Sequence, residues 1–274
     1  MLLEAGHQVT GLSRSATGAD RVRRQGASAV QADVLDRDGL LAALRDTRPD
    51  AVIHQLTDLA DADGAATDRL RREGTRNLVA AARAAGATRI VAQSVGFAYE
   101  PGEKPADETT PLDVTAPAAR GALVAGVQAL ESAASEMNTA VLLRYGILYG
   151  PGTWYAPGGA ATAALAGDAN ARFIGYVVPD SSVTSFLHVA DAARAAIAAL
   201  DWPAGPVNVA DDDPAEGREW VPVLAEALGV APPKAASGHV PWARGVSNDL
   251  ARSRGWQPSY ATWRTGFASQ MADA

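Results

Sequence analysis

The chain has 274 residues, 47% of them hydrophobic and 20% charged, with a net charge of −7 and a pI near 5.1. That acidity excludes the basic face that nucleic-acid binding needs, and only two lysines, Lys104 and Lys234, leave no polybasic patch for a membrane surface. Zero cysteines exclude disulfides, thiolate metal sites and cysteine nucleophiles. No window approaches the roughly 18 consecutive apolar residues of a membrane span. The N-terminus lacks the basic and long apolar regions of a secretory signal, so the expected location is the cytoplasm.

The chain opens on Met1–Gly6, which reads as the tail of a helix, and His7–Ser13 follows as a strand. Short apolar runs then alternate with amphipathic stretches: a helix over Ala19–Gln25, a strand over Ser28–Asp33, and a helix over Arg37–Arg45 ended by Pro49. Ala51–Leu56 reads as the next strand, Thr67–Ala85 as a long helix stopped by Gly86, and Arg89–Val95 as a strand. Near-continuous apolar strands between helices predict a parallel sheet covered on both faces.

A Pro-, Gly- and acid-rich loop, Gly96–Val114, leads to an Ala-rich helix over Pro117–Glu136 and a strand over Ala140–Tyr145. Beyond Tyr149-Gly-Pro-Gly-Thr153 the pattern loosens. It predicts a helix near Gly159–Ala166, a strand near Arg172–Val177, a helix over Val189–Leu200 and a strand over Pro206–Ala210. Helices over Glu219–Leu228 and Trp263–Met271 complete the chain. The expected architecture is α/β: a Rossmann-like doubly wound parallel sheet over 1–150, then a smaller substrate lobe over 151–274 with elements returning to the sheet.

Several blocks carry a family resemblance: Asp33-Val-Leu-Asp36, Ala51-Val-Ile-His-Gln55, Gly74-Thr-Arg-Asn-Leu78 and Ile90-Val-Ala-Gln-Ser94. Leu143-Arg-Tyr-Gly-Ile-Leu-Tyr-Gly-Pro-Gly-Thr153, Ser185-Phe-Leu-His-Val-Ala-Asp191, Val207-Asn-Val-Ala-Asp-Asp212 and Gly255-Trp-Gln-Pro258 continue it. In order and spacing the chain resembles the extended or atypical short-chain dehydrogenase/reductases, specifically the NAD-dependent epimerase/dehydratase-like proteins. The resemblance implies a dinucleotide site at the carboxyl edge of the sheet and a homodimer through the helices at 67–85 and 117–136.

The chain also departs from that pattern. Aligned with the family, it lacks the opening strand and glycine-rich turn, roughly 20 residues whose backbone N–H groups hold the pyrophosphate. The family's Tyr-x-x-x-Lys pair falls on Leu123 and Val127. No tyrosine lies between Tyr99 and Tyr145 and no lysine between Lys104 and Lys234, so the usual acid–base pair and ribose grip are missing. The Asp58–Thr67 segment is also short for the loop that walls the family's site. These departures predict a chain with no cofactor, or one taking NADP rather than NAD if any dinucleotide binds.

The remnant cofactor edge comprises Ser13, Arg14, Asp33, Val34 and Gln55. Arg14 suits a 2′-phosphate and is equally a solvated surface arginine; Asp33 matches an adenine contact and is equally a turn former. Ser94 ends a strand where ligands bind in open α/β sheets and matches the family's catalytic Ser/Thr, against a capping role. Tyr99, on the following loop, is the one phenol placed to replace the lost acid, against simple packing. Both are the candidate catalytic residues. Arg144, Tyr145, Trp154, Tyr155 and His188 are the candidate substrate wall, although Asp191 beside His188 also suits a helix start.

Asp211-Asp-Asp-Pro214 reads as a turn rather than a metal site, and no other His/Asp/Glu spacing marks a cation. Three functions stand open. The first is a repurposed enzyme performing a non-redox isomerisation, cyclisation or elimination on a small organic substrate in specialised metabolism. The second is an NADP-linked reductase, dehydratase or epimerase. The third is a non-catalytic ligand-binding protein.

Overall fold

The structure is a computed structural model that describes residues 1–58, 63–168, 171 and 177–269. The expected strand near Arg172–Val177 lies outside these residues except for Val177, as do 59–62 of the Asp58–Thr67 segment.

Met1–Ala5 makes one helical-type turn, the Ala5 N–H donating to the Met1 carbonyl at 2.9 Å. Strand β1 (Thr10–Ser13) runs into α1 (Ala16–Arg24), whose N-terminus is capped by the Ser15 hydroxyl accepting from Gly18 N at 3.1 Å. Strand β2 (Ser28–Gln31) leads to α2 (Arg37–Thr47), capped in the same way by Asp36. β3 (Ala51–His54) precedes α3 (Gly64–Arg69), capped by Asp63.

The long helix expected over Thr67–Ala85 is interrupted. A π turn at Leu70–Gly74 separates α3 from α4 (Thr75–Ala84). Gly74 is buried there against Val34, whose Cγ1 a Cβ would meet at 3.1 Å, and the turn presents Thr75 to His54.

Strand β4 (Arg89–Val95), helix α5 (Ala118–Ala134) and strand β5 (Thr139–Tyr145) follow as expected to within two residues at each boundary. The second half comprises β6 (Ile147–Tyr149), α6 (Ala160–Leu165), β7 (Val183–Thr184), β8 (Phe186–His188) and α7 (Val189–Ala198). It closes with β9 (Gly205–Val209), β10 (Ala215–Glu216), α8 (Gly217–Ala227), α9 (Asp249–Ser253) and α10 (Trp263–Ser269).

β3, β4, β5 and β9 form a parallel sheet in the order β3-β4-β5-β9, and β1 and β2 form a separate parallel pair. Alternate side chains of β4 and β5 point to opposite faces. Ile90, Ala92 and Leu142 join Leu40, Leu44, Leu78, Val79 and Leu130 from α2, α4 and α5 in one core. Val91, Val141 and Leu143 join Ala195 and Ala196 of α7, Trp202 and Trp256 in the other. Helices therefore cover both faces, as a doubly wound sheet requires. Leu12 of β1 and Ala32 beyond β2 pack on the first of these cores, so the strand pair and the four-stranded sheet share it.

The remaining elements bury an aromatic cluster. Phe186 lies edge-on to Trp220 at 5.0 Å and to Phe267 at 5.2 Å between ring centroids, with Tyr149, Tyr155 and Trp263 around it. Each such pair contributes about 0.5–1.5 kcal/mol beyond its burial. These rings lie at 149–155, 186, 220, 263 and 267, so the lobe depends on long-range packing rather than on local repeats.

Candidate active site

The parallel strands end at one edge, and two glycines there, Gly96 after β4 and Gly146 after β5, leave bare backbone. A Cβ on Gly146 would meet the Ser185 carbonyl oxygen at 2.8 Å, and one on Gly96 would meet the carbonyl oxygens of Arg144 and Tyr145 at 3.3 Å. Over this floor lies a cavity of about 120 Å³ walled by Phe97, Ile147, Tyr155, Ser185, Trp242 and Arg244, among others. Of the residues expected in the substrate wall, Tyr155 lines it, while Arg144, Tyr145, Trp154 and His188 stand outside its lining.

Ser94 faces the interior. Its hydroxyl donates to Glu131 Oε1 at 2.7 Å, and Arg144 donates from Nε to the same oxygen at 2.9 Å and from Nη2 to Oε2 at 2.7 Å. All three side chains are buried. Burial alone would lower the Arg144 pKa; the paired Glu131 carboxylate outweighs it and holds the guanidinium charged. That guanidinium lies 4.9 Å from the centroid of the Tyr99 ring. The Tyr99 hydroxyl donates to Asn208 Oδ1 at 2.5 Å, and Asn208 in turn donates to the Ala106 carbonyl at 3.1 Å and to Glu108 Oε1 at 2.7 Å. Burial pushes the Tyr99 phenol up to about 12 against the opposing Arg144 charge, so it stays protonated across the neutral range. Ser94 and Tyr99 thus belong to one buried network through Glu131, Arg144 and Asn208.

Tyr145 donates to the Ala192 carbonyl at 3.3 Å, and burial raises its pKa. His188 accepts from Ala190 N through Nδ1 at 3.2 Å, capping α7, and stacks on Tyr260 at 3.7 Å between centroids. Trp154 is half-buried against the aromatic cluster of the lobe.

On the outer edge, Ser13 donates to the Ser15 carbonyl at 3.2 Å, and exposed Arg14 pairs with Asp58 at 3.5 Å. Asp33 accepts from Leu35 N at 2.9 Å in a turn, while the Val34 carbonyl accepts from Asn77 at 3.0 Å. Gln55, exposed just beyond β3, opposes the rise that burial gives the Tyr145 pKa. Behind it His54 is buried; its Nδ1 accepts from Leu56 N at 3.2 Å, so Nε2 carries the proton and donates to Thr75 Oγ1 at 2.8 Å. Burial lowers its pKa to about 4, leaving a neutral imidazole.

The face of α5 where the resemblance places the acid–base pair is apolar. Val124 and Val127 are buried with Val95 and Ala98, and Leu123 and Phe97 pack beside them. Three residues escaped the sequence reading: Glu131, Arg120 and Asn208. The signal for the first two lies in α5 itself, whose 17 residues carry no charged side chain other than Arg120 and Glu131. Asn208 gives no such signal, because its partners are about a hundred residues away.

Residues 1–210 match the NAD dependent epimerase/dehydratase family, to which this chain belongs. Over 97% of its length it is 43% identical to a 3-diazoavenalumate denitrifying reductase from Streptomyces sp., covering 92% of that protein. Among solved structures it is similar to the Thermus thermophilus UDP-glucose 4-epimerase complex with NAD, at 25% identity and a TM-score of 0.75 over 99% of this chain and 92% of that one. A Bordetella bronchiseptica enzyme solved with NAD and UDP shares the fold at 22% identity and a TM-score of 0.76, over 99% of this chain and 87% of that one.

These findings correct the expectation of a cofactor-free chain and leave the preference for NADP over NAD undecided. The family is NAD-dependent and a dinucleotide cofactor is expected, with the choice between NAD and NADP open. The residues present fit its adenosine half: Ser13, Arg14, Asp33 and Val34 stand at the carboxyl ends of adjacent parallel strands, with Arg14 and Asp33 open to solvent. Among the described residues no strand is followed by a Gly-x-Gly-x-x-Gly or Gly-x-x-Gly-x-x-Gly turn leading into a helix to cradle a pyrophosphate.

Proposed function

We propose that this chain is a dinucleotide-linked reductase that removes dinitrogen from a small diazo-bearing substrate. The carrying observation is the apolar face of α5, where Leu123 and Val127 stand in place of a proton-donating pair. Most carbonyl reductions create an alkoxide that must be protonated, and a site without an acid is poorly suited to them. Loss of dinitrogen has no such need. When bound, a reduced nicotinamide supplies a hydride equivalent. The substrate's C–N bond breaks with its electron pair leaving on dinitrogen, a C–H bond forms with the incoming pair, and a diazonium cation becomes a neutral arene with no proton exchanged with the protein. The 43% identity to a denitrifying reductase across nearly the whole chain supports the same reading.

In this reading the chain's residues orient and exclude water. The Ser94–Glu131–Arg144 network fixes the ends of β4 and β5 under the cavity, and Tyr99, protonated and bound to Asn208, anchors the loop above it. Tyr155 forms part of the substrate wall, and Arg144, Tyr145, Trp154 and His188 support it from behind. A non-redox isomerisation, cyclisation or elimination is the weaker reading, because it asks for a proton-transfer group, and the Tyr99 hydroxyl is buried, bonded to Asn208 and outside the cavity lining. A homodimer through the helices at 67–85 and 117–136 is part of the proposal, and sedimentation velocity tests it.

The reaction is tested by incubating the purified chain with a carboxylated arenediazonium salt and NADH or NADPH. The expected result is dinucleotide oxidation with formation of the nitrogen-free arene, carrying deuterium when the dinucleotide is 4-deuterated. Oxidation without loss of nitrogen, or no oxidation with either dinucleotide, sinks the proposal.

A further inference from the structure

Two aromatic walls of the cavity, Phe97 and Trp242, are set by one half-buried cation. The guanidinium of Arg120, at the start of α5, lies 4.2 Å from the centroid of a Trp242 ring. Its edges are committed: Nε donates to Asp113 Oδ2 at 2.8 Å, Nη1 to the Phe97 carbonyl at 2.9 Å and Nη2 to the Tyr99 carbonyl at 2.8 Å. Planar and forked, Arg120 therefore fixes Phe97 through its backbone and Trp242 through its ring face. The segment bearing Trp242 is tied down a second time. Gly102 N donates to the Pro241 carbonyl at 3.2 Å, Ala106 N to the Gly245 carbonyl at 3.0 Å, and Arg244 to the carbonyls of Lys104 and Glu100.

The space so enclosed has the size of one ring. Its volume is about 120 Å³, and an apolar cavity of about 150 Å³ accepts benzene. The floor includes glycine backbone at 96 and 146, where neighbouring main chain packs too closely for a Cβ to fit without a shift. Among the described lining residues only Arg244 is charged, and two of its donors are spent on carbonyls, so the lining offers a diphosphate little charge.

We infer that the cavity is a slot for a single planar aromatic ring, with Trp242 as the specificity-determining wall and Arg120 as the residue that positions it. The inference rests on the reading that this cavity is the substrate site. A stacked ring uses the Trp242 face that Arg120 leaves open, and a puckered saturated ring of the same outline cannot lie flat against both indole and floor.

Calorimetric titration of the full chain, without any dinucleotide, tests this with 4-hydroxybenzoate, trans-4-hydroxycyclohexanecarboxylate and UDP-glucose. The aromatic acid binds at least about tenfold tighter than the other two, the size of one good stacking contact. Trp242→Phe keeps that preference within about threefold because a stacking face remains, and Trp242→Ala abolishes it. Arg120→Lys, which keeps the charge and loses the fork, lowers the aromatic-to-saturated ratio, a quantity that a merely structural role would leave unchanged. Equal affinity for the flat and puckered acids, no binding of the aromatic acid, or a preference surviving Trp242→Ala overturns the inference. The titration is independent of turnover: failure of the diazo reaction leaves a measured slot standing, while diazo turnover with unchanged KM in Trp242→Ala removes the slot and spares the reductase.

Discussion

Glu131 is the residue on which the buried network turns, since one carboxylate receives both the Ser94 hydroxyl and the forked Arg144. Removing its charge strands a buried guanidinium, so Glu131→Gln is expected to destabilise the chain by about 3–5 kcal/mol, whereas Ser94→Ala loses one charge-assisted hydrogen bond and costs about 1.5 kcal/mol. Urea unfolding of both variants checks the order; equal losses would mean that Arg144 finds another partner. Two other buried groups shape stability against pH in opposite senses. His54, lowered to about 4 by burial, binds fewer protons folded than unfolded, so stability falls as pH drops from 6.5 toward 4. Asp211 accepts from Trp263 N at 2.9 Å, and burial pushes it up to about 8. It holds its proton in the folded state above the ordinary carboxyl range, and stability falls as pH rises toward 8. Between about 4 and 6.5 the two slopes oppose; above 6.5 Asp211 acts alone. Asp211→Asn keeps one acceptor oxygen for Trp263 N and loses the longer bond from Asp213 N, a cost that does not vary with pH, and should convert that alkaline fall into a plateau and expose the acid-side rise due to His54. Unfolding free energies at pH 5, 6.5 and 8 decide this, and an unchanged alkaline fall would show that other groups carry it.

At the scale of elements, helix α5 joins the network to the cavity: Glu131 points under β4 and β5, Arg120 pins the loop over them, and the intervening Leu123–Val127 face is apolar. Restoring a lysine there tests whether the site lacks a group it could use. Val127→Lys buries an ammonium at a position 1% exposed, with an expected cost of about 3 kcal/mol and no gain in turnover. A rise in reductase rate in that variant would mean that proton transfer limits the reaction. The strand–helix alternation through β5 was legible because each apolar run of four to seven residues stands between helical patterns and turn formers. β6, β7, β8 and β10, with two or three residues each, are too short to show alternation, and the π turn at Leu70–Gly74 follows from tertiary contact with Val34 and His54. Ser94 and Tyr99 were readable as candidates from their places at the end of β4 and on the loop beyond it, and neither lines the cavity. Their buried partners were not readable, because Glu131 and Asn208 meet them only through the fold, 37 and 109 positions away.

Across the whole molecule the sheet is in two pieces that share one core. The strands β3-β4-β5-β9 are paired in continuous register, with β5 almost wholly buried, while β1 and β2 pair only with each other and have no fully buried residue. Local opening free energy follows burial and the number of paired neighbours. Amides of β1 and β2 should therefore exchange with deuterium well before those of β4 and β5, at a free energy below that of global unfolding. The same two strands carry Ser13, Arg14, Asp33 and Val34 at or just beyond their carboxyl ends, so the least secured part of the sheet is also the part we propose meets the adenosine half of a dinucleotide. A ligand that binds the closed form stabilises it by RT ln(1 + [L]/Kd), and the gain appears where opening was cheapest. Saturating NAD or NADPH should slow exchange over residues 10–34 and leave the amides of β4 and β5 nearly unchanged. Protection confined to β4 and β5, or none anywhere, would separate the cofactor from β1 and β2 and move its site to the cavity edge at Gly96 and Gly146.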